Sequence, residues 1–147
     1  MRSLARLFVT TAAVLGAMLG TAASLEAQQD PRTLVMPEGQ RPNPVLSPAL
    51  VVDNVIYASG QLGMGPDTTI QGQTKRTLEN IKRVFEAAGG KLEFATKCTV
   101  FLVDVADFGP MNEVYRTFFG PVPPARSTVV VKELVVKGAK IEIECMG

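Results

Sequence analysis

The chain has 147 residues, with 15 Lys and Arg against 14 Asp and Glu, two Cys and no His. Near-neutrality gives no electrostatic reason to expect nucleic acid or an anionic membrane surface as partner. The missing imidazole excludes Ser-His-Asp triads, HExxH zinc sites and a histidine general base, and Cys98 and Cys145 are too few thiolates for a structural zinc.

The N-terminus does not read as part of a fold. "MRSLAR" carries two arginines, "LFVTTAAVLGAMLG" is an apolar run of 14 residues, and "TAASLEAQQD" supplies small residues. That is the n-region, h-region and cleavage region of a secretory signal peptide, and the run is short for a membrane span of roughly 20 residues. Cleavage is expected after Ala27, with Ala23 second, and an uncleaved anchor is the alternative. Removing residues 1–27 of the 147 leaves 120, one domain's worth, with 13 basic and 13 acidic groups once Arg2, Arg6 and Glu26 are gone. The mature chain is expected in the periplasm or outside the cell, free of the membrane. An exported protein with two cysteines invites a disulfide, but both sit in predicted strands, where free cysteine is a common buried residue; buried thiols are the expectation.

Residues 28–44 hold four prolines and few periodic apolar positions, and read as an extended lead-in to a domain over 45–147. "ALVVDNVIYAS" offers two apolar arms around Asp53-Asn54, residues that tolerate the left-handed conformation of a hairpin turn. From Ile70 to Ala88, Leu78, Ile81, Val84, Phe85 and Ala88 recur at spacings of three and four before Gly89-Gly90, an amphipathic helix with a glycine stop. A strand is predicted over Ala95–Val103. Asp107 is a plausible N-cap for a second helix with Phe108, Met111, Tyr115 and Phe118 on one stripe. Strands at Ser127–Leu134 and Lys140–Met146, joined by "VKGA", complete an α+β layer with two helices on one face of a sheet. The last strands are apolar on both faces, so the uncovered face is expected to meet another subunit.

Two features can carry chemistry. In "AKIEIECMG", period-two spacing puts Glu142 and Glu144 on one face and Ile141 and Ile143 on the other. The pair reads as a solvated acidic face or one that salt-bridges to lysines, or, for Glu142, as a carboxylate in a half-buried cleft near an arginine that orients water. In "PPARSTVVV", Arg126 heads a β-branched strand. Its permanent charge needs a protein carboxylate, solvent or a ligand's carboxylate clamped through two parallel N–H bonds.

"VIYASGQLG", "TLENIKRVFEAAGG", "TVFLVDVADFGPMNEVYRTFFG", "PPARSTV" and "AKIEIE" stand in the order and spacing of the RidA/YjgF reactive-intermediate deaminases, and the resemblance spans Pro44 to Met146. It implies a chorismate-mutase-like α+β fold assembled as a homotrimer with a central β-barrel and ligand clefts between subunits. It also implies hydrolysis of 2-aminoacrylate-like enamines and imines to 2-keto acids and ammonia, without metal or cofactor. By position, Arg126 resembles the family's carboxylate-binding arginine and Glu142 its water-positioning glutamate. Ser59 and Gly60 resemble the segment lining the cleft from the neighbouring subunit, and Asn112 the helix asparagine near it. Two positions depart from the pattern: Leu46 stands where many members have an aromatic residue, and Thr128 where some active members have a cysteine. A non-catalytic module binding small carboxylates or 2-keto acids is therefore the second reading. A third, the endoribonuclease label of some relatives, is opposed by the neutral charge and the missing histidine.

Overall fold

The computed structural model describes residues 30–147, so the expected leader over 1–27 lies outside the described residues. Among the described residues seven strands form one sheet: β1 (Thr33–Val35), β2 (Ala49–Val52), β3 (Val55–Ala58), β4 (Gln61–Leu62), β5 (Lys97–Leu102), β6 (Ala125–Val130) and β7 (Ile141–Met146). Two helices, α1 (Ile70–Ala87) and α2 (Phe108–Tyr115), join them. The spatial order is β1-β2-β3-β7-β5-β6, with β4 also on β7; β5 and β6 are parallel and the other pairs antiparallel.

The hairpin β2–β3 turns at Asp53 and Asn54, both at positive φ (49° and 62°), as its two-residue loop requires. The lead-in is more than a tether, because Thr33–Val35 pairs with β2 and closes that sheet edge. The two strands linked by the "VKGA" turn are not neighbours: β5 lies between β6 and β7. That turn forms nonetheless, with Gly138 at φ 84° and the Ala139 N–H donating to the Val136 carbonyl at 3.1 Å.

Helix α1 begins at Thr69, whose hydroxyl accepts from the Gly72 N–H at 3.1 Å. It ends with Gly89 at φ 80°, the Gly90 and Gly89 N–H groups donating to Phe85 and Glu86 carbonyls. That is the left-handed glycine stop the sequence announced. Its stripe of Leu78, Ile81, Val84 and Phe85 is at most 1 % exposed, each side chain contributing about 1.5–3 kcal/mol of burial. Facing it across the sheet are Cys98, Val100, Leu102, Ile141, Ile143 and Cys145, all buried. Both helices pack together on this face.

The second helix differs from expectation in its cap and extent. Asp107 stands at the N-cap position but makes no capping bond; its carboxylate lies 3.9 Å from Lys140. Asp104 caps instead, accepting from the Ala106 N–H at 2.9 Å at the start of a short 3-10 turn that leads into α2. Of the expected stripe, Met111 and Tyr115 are buried, Phe118 packs at the edge of the core, and Phe108 is exposed.

The cysteines are bonded to each other rather than free. Cys98 and Cys145 are directly opposed in the β5–β7 register, with Cα atoms 4.1 Å apart, and form a disulfide. Each cysteine lies in a strand, as expected, Cys98 in β5 and Cys145 in β7. What the sequence lacked was that strands 47 residues apart lie side by side, which puts both sulfurs on one face.

Candidate active site

Pairing register decides where the candidate residues go. Along β7, Tyr57 pairs with Met146, but Gln61 and Leu62 pair with Ile143 and Glu142. Between these pairs, Ala58, Ser59 and Gly60 oppose only Cys145 and Glu144, so the β3–β4 edge carries one extra residue, a bulge that bends the strand. Gly60 sits in this bulge with the Glu142 carboxylate lying where a Cβ would be. Ser59 is committed to the scaffold: its hydroxyl donates to the Ser47 carbonyl at 2.6 Å and its N–H to the Pro48 carbonyl at 3.0 Å. These bonds bring the exposed Leu46 beside Ser59, and both line a hollow with Tyr57, Lys97, Thr99 and Glu144.

Glu142 and Glu144 point away from the helices, on the face that Lys97, Thr99 and Phe101 of β5 share, while Ile141 and Ile143 are fully buried. Partial burial holds the Glu142 carboxyl above its ordinary pKa, and the charge of Glu144 adds to the effect. A carboxylate shifted this way takes up a proton more readily than a solvated one.

Arg126 lies on the other face. It pairs in register with Cys98, so its side chain turns to the helix side, where its guanidinium carbon lies 4.6 Å from the Tyr115 ring centroid and 5.8 Å from that of Phe108. No ion pair among the described residues includes it. The guanidinium hydrogen bonds among those residues belong to Arg32, Arg76 and Arg83. Arg126 lines a cleft of about 590 Å³ with Asn112, Glu113, Arg116 and the two prolines Pro123 and Pro124. Thr128 follows two residues on, on the same face of β6.

The candidates thus form two groups. Arg126, Asn112 and Thr128 belong to the helix side of β6 and α2; Glu142, Gly60, Ser59 and Leu46 belong to the β3–β4 edge and the uncovered face. The expectation that Glu142 shares a cleft with an arginine is not met within one chain, because β5 and β7 present it opposite to the face that carries Arg126. Sequence reading missed Phe108 and Tyr115 as neighbours of Arg126. Their helical spacing marked a core stripe, and no local pattern connects α2 to β6.

The comparisons agree with this architecture. The family model described as Endoribonuclease L-PSP matches residues 39–147. A RutC family protein of Pyrococcus abyssi is 42% identical over 114 residues, covering 72% of this chain and 89% of that protein. The 2-iminobutanoate/2-iminopropanoate deaminase of Rattus norvegicus is 40% identical over 107 residues, covering 69% of this chain and 77% of its own. The crystal structure of RidA from an Antarctic Psychrobacter superposes with a TM-score of 0.68 at 37% identity, covering 78% of this chain and 96% of that one. With the motifs in register, the α+β sheet observed and the family model spanning all of β2 to β7, the chain belongs to the RidA/YjgF (endoribonuclease L-PSP) family.

Proposed function

We propose that the chain is an exported enamine/imine deaminase that converts 2-imino acids to 2-keto acids and ammonia, with each active site shared between two copies. The observation that carries this reading is Arg126, a permanently charged, half-buried guanidinium in a cleft with no protein carboxylate paired to it among the described residues. Its planar fork suits the carboxylate of a 2-imino acid. Relatives named as imine deaminases support the chemistry.

In this mechanism Arg126 binds the substrate carboxylate and Asn112 lines the same cleft. Glu142 of a neighbouring copy orients a water on the imine carbon. The water oxygen bonds to that carbon as the C=N π pair moves to nitrogen, and the water's proton passes to Glu142. The carbinolamine then collapses: Glu142 returns its proton to the nitrogen, the C–N bond breaks as the hydroxyl O–H pair becomes the second C=O bond, and the hydroxyl proton passes to the freed Glu142 carboxylate and from there to the departing ammonia, which leaves as ammonium. A protonated imine is already electrophilic, so placement matters more than base strength.

The uncovered sheet face supports a shared site, since Leu46, Tyr57, Val129 and Met146 are all exposed in the single chain. A closed ring of three copies is the assembly proposed, with heterologous contacts that set one copy's Arg126 against the next copy's Glu142. Export is supported by the Cys98–Cys145 disulfide, a bond that persists in oxidising compartments.

The test is release of 2-keto acid from an imine generated in situ by an amino-acid oxidase, with the wild type, Arg126→Ala, Glu142→Gln and an equal mixture of the two variants refolded together. Each variant should be inactive. The mixture should regain about a quarter of the wild-type rate, because random assembly leaves one junction in four with both groups intact. No regain alongside an active wild type would overturn the junction of one copy's Arg126 with the next copy's Glu142. An inactive wild type that pyruvate still stabilises thermally would favour the non-catalytic binding reading.

A further inference from the structure

Arg126 raises a problem the proposed chemistry does not solve. A half-buried guanidinium keeps its charge at any working pH, and burying that charge uncompensated is costly. A protein carboxylate would relieve the cost, but it would occupy the N–H edge that a ligand's carboxylate needs. We propose that the ring face of Tyr115, flanked by Phe108, compensates the Arg126 charge and aims its donor edge, which makes Tyr115 a positioning residue for the anion site.

The geometry separates the two faces of the group's chemistry. A guanidinium carries its donors in its plane and none above it, and an aromatic ring within about 6 Å attracts the cation through its face. At 4.6 Å from the Tyr115 centroid and 5.8 Å from that of Phe108, Arg126 gains this attraction without spending an N–H. Tyr115 is well suited to be the fixed plate: it is 5 % exposed and packs on Phe119 with ring centroids 4.7 Å apart. Phe108, 44 % exposed, is the looser flank.

The ring, not the hydroxyl, performs this role. The buried Tyr115 hydroxyl has no hydrogen-bond partner among the described residues. Burial pushes its pKa up to about 12 despite the opposing pull of Arg126, so the group stays a neutral phenol and offers no phenolate as counter-ion. Removing the hydroxyl should therefore leave the anion site intact, while removing the ring should loosen it.

The proposal rests on Arg126 being the carboxylate clamp, and the experiment separates the two. Pyruvate affinity, KM and kcat for the imine, and thermal unfolding are measured for the wild type, Tyr115→Phe and Tyr115→Leu. Tyr115→Phe should bind pyruvate within about twofold of the wild type, and Tyr115→Leu should lose affinity and gain KM by roughly tenfold with kcat little changed. Pyruvamide, which lacks the carboxylate, should bind all three proteins equally weakly. A Tyr115→Leu protein that is folded and binds pyruvate like the wild type overturns the brace alone; a wild type that neither binds pyruvate nor turns over imine overturns the clamp itself. Should Tyr115→Leu not fold, the wild type still decides: the Arg126 δ protons should be shifted upfield by the ring current in NMR spectra, and unshifted resonances would overturn the proposal.

Discussion

The carboxylate of Glu142 occupies the space beside Gly60 that any larger residue's Cβ would need, the contact made possible by the one-residue bulge between β3 and β4. Only glycine lets the backbone approach a side chain this closely. Because the group that would be displaced is the free end of a flexible side chain, Gly60→Ala should fold with a melting temperature near the wild type. Its kcat should nonetheless fall by about 10²-fold, the scale expected when a reacting group is misplaced by about 1 Å. A fall in stability with kcat per folded molecule preserved would contradict this.

The raised pKa of Glu142 predicts a particular pH dependence. Burial and the Glu144 charge favour its protonated form in the folded chain. A carboxyl raised this way contributes stability that is fully present below its unfolded pKa, near 4.5, and lost as pH rises through its higher folded value. Glu142→Gln, which mimics the protonated form, should therefore unfold at a higher temperature than the wild type at pH 7, with the gain vanishing below pH 4.5. The acid limb of the wild-type kcat/KM profile should sit above the range of an ordinary glutamate.

The Cys98–Cys145 bond closes a loop across a sequence separation of 47 residues. Constraint of the unfolded chain by such a loop contributes about 2–4 kcal/mol. Reduction under denaturing conditions, or the double substitution to alanine, should lower the urea midpoint accordingly. An unchanged midpoint on complete reduction would show that the bond is not a source of stability.

Gln73, 1 % exposed on α1, holds the turn before β7 in place: its amide N–H donates to the Gly138 carbonyl at 2.9 Å and its carbonyl accepts from the Lys140 N–H at 2.8 Å. Gln73→Leu keeps the volume but strands two backbone groups, at about 1–3 kcal/mol each. Urea unfolding should show the midpoint falling with the slope unchanged.

Much of the architecture was written locally. The spacing of Leu78, Ile81, Val84 and Phe85 fixed both the helix and its buried side, because the 3.6-residue period leaves only one stripe to bury. Asp53-Asn54 marked the hairpin, and the alternation of Ile141, Glu142, Ile143 and Glu144 marked an acidic and an apolar face, since period two is a property of any strand. Which way those faces point relative to Arg126 was not local. It depends on β5 inserting between β6 and β7 with Cys98 beside Arg126 and Phe101 beside Glu142, a register set by the packing of the whole sheet. The same insertion joined the cysteines, brought Tyr115 of α2 under the guanidinium, and parted arginine from glutamate onto opposite faces. Sequence by itself determined the residues, their periodicity and their family; only the tertiary structure decided which side of the sheet each one serves, because strand pairing is a contact between distant segments that no local pattern records.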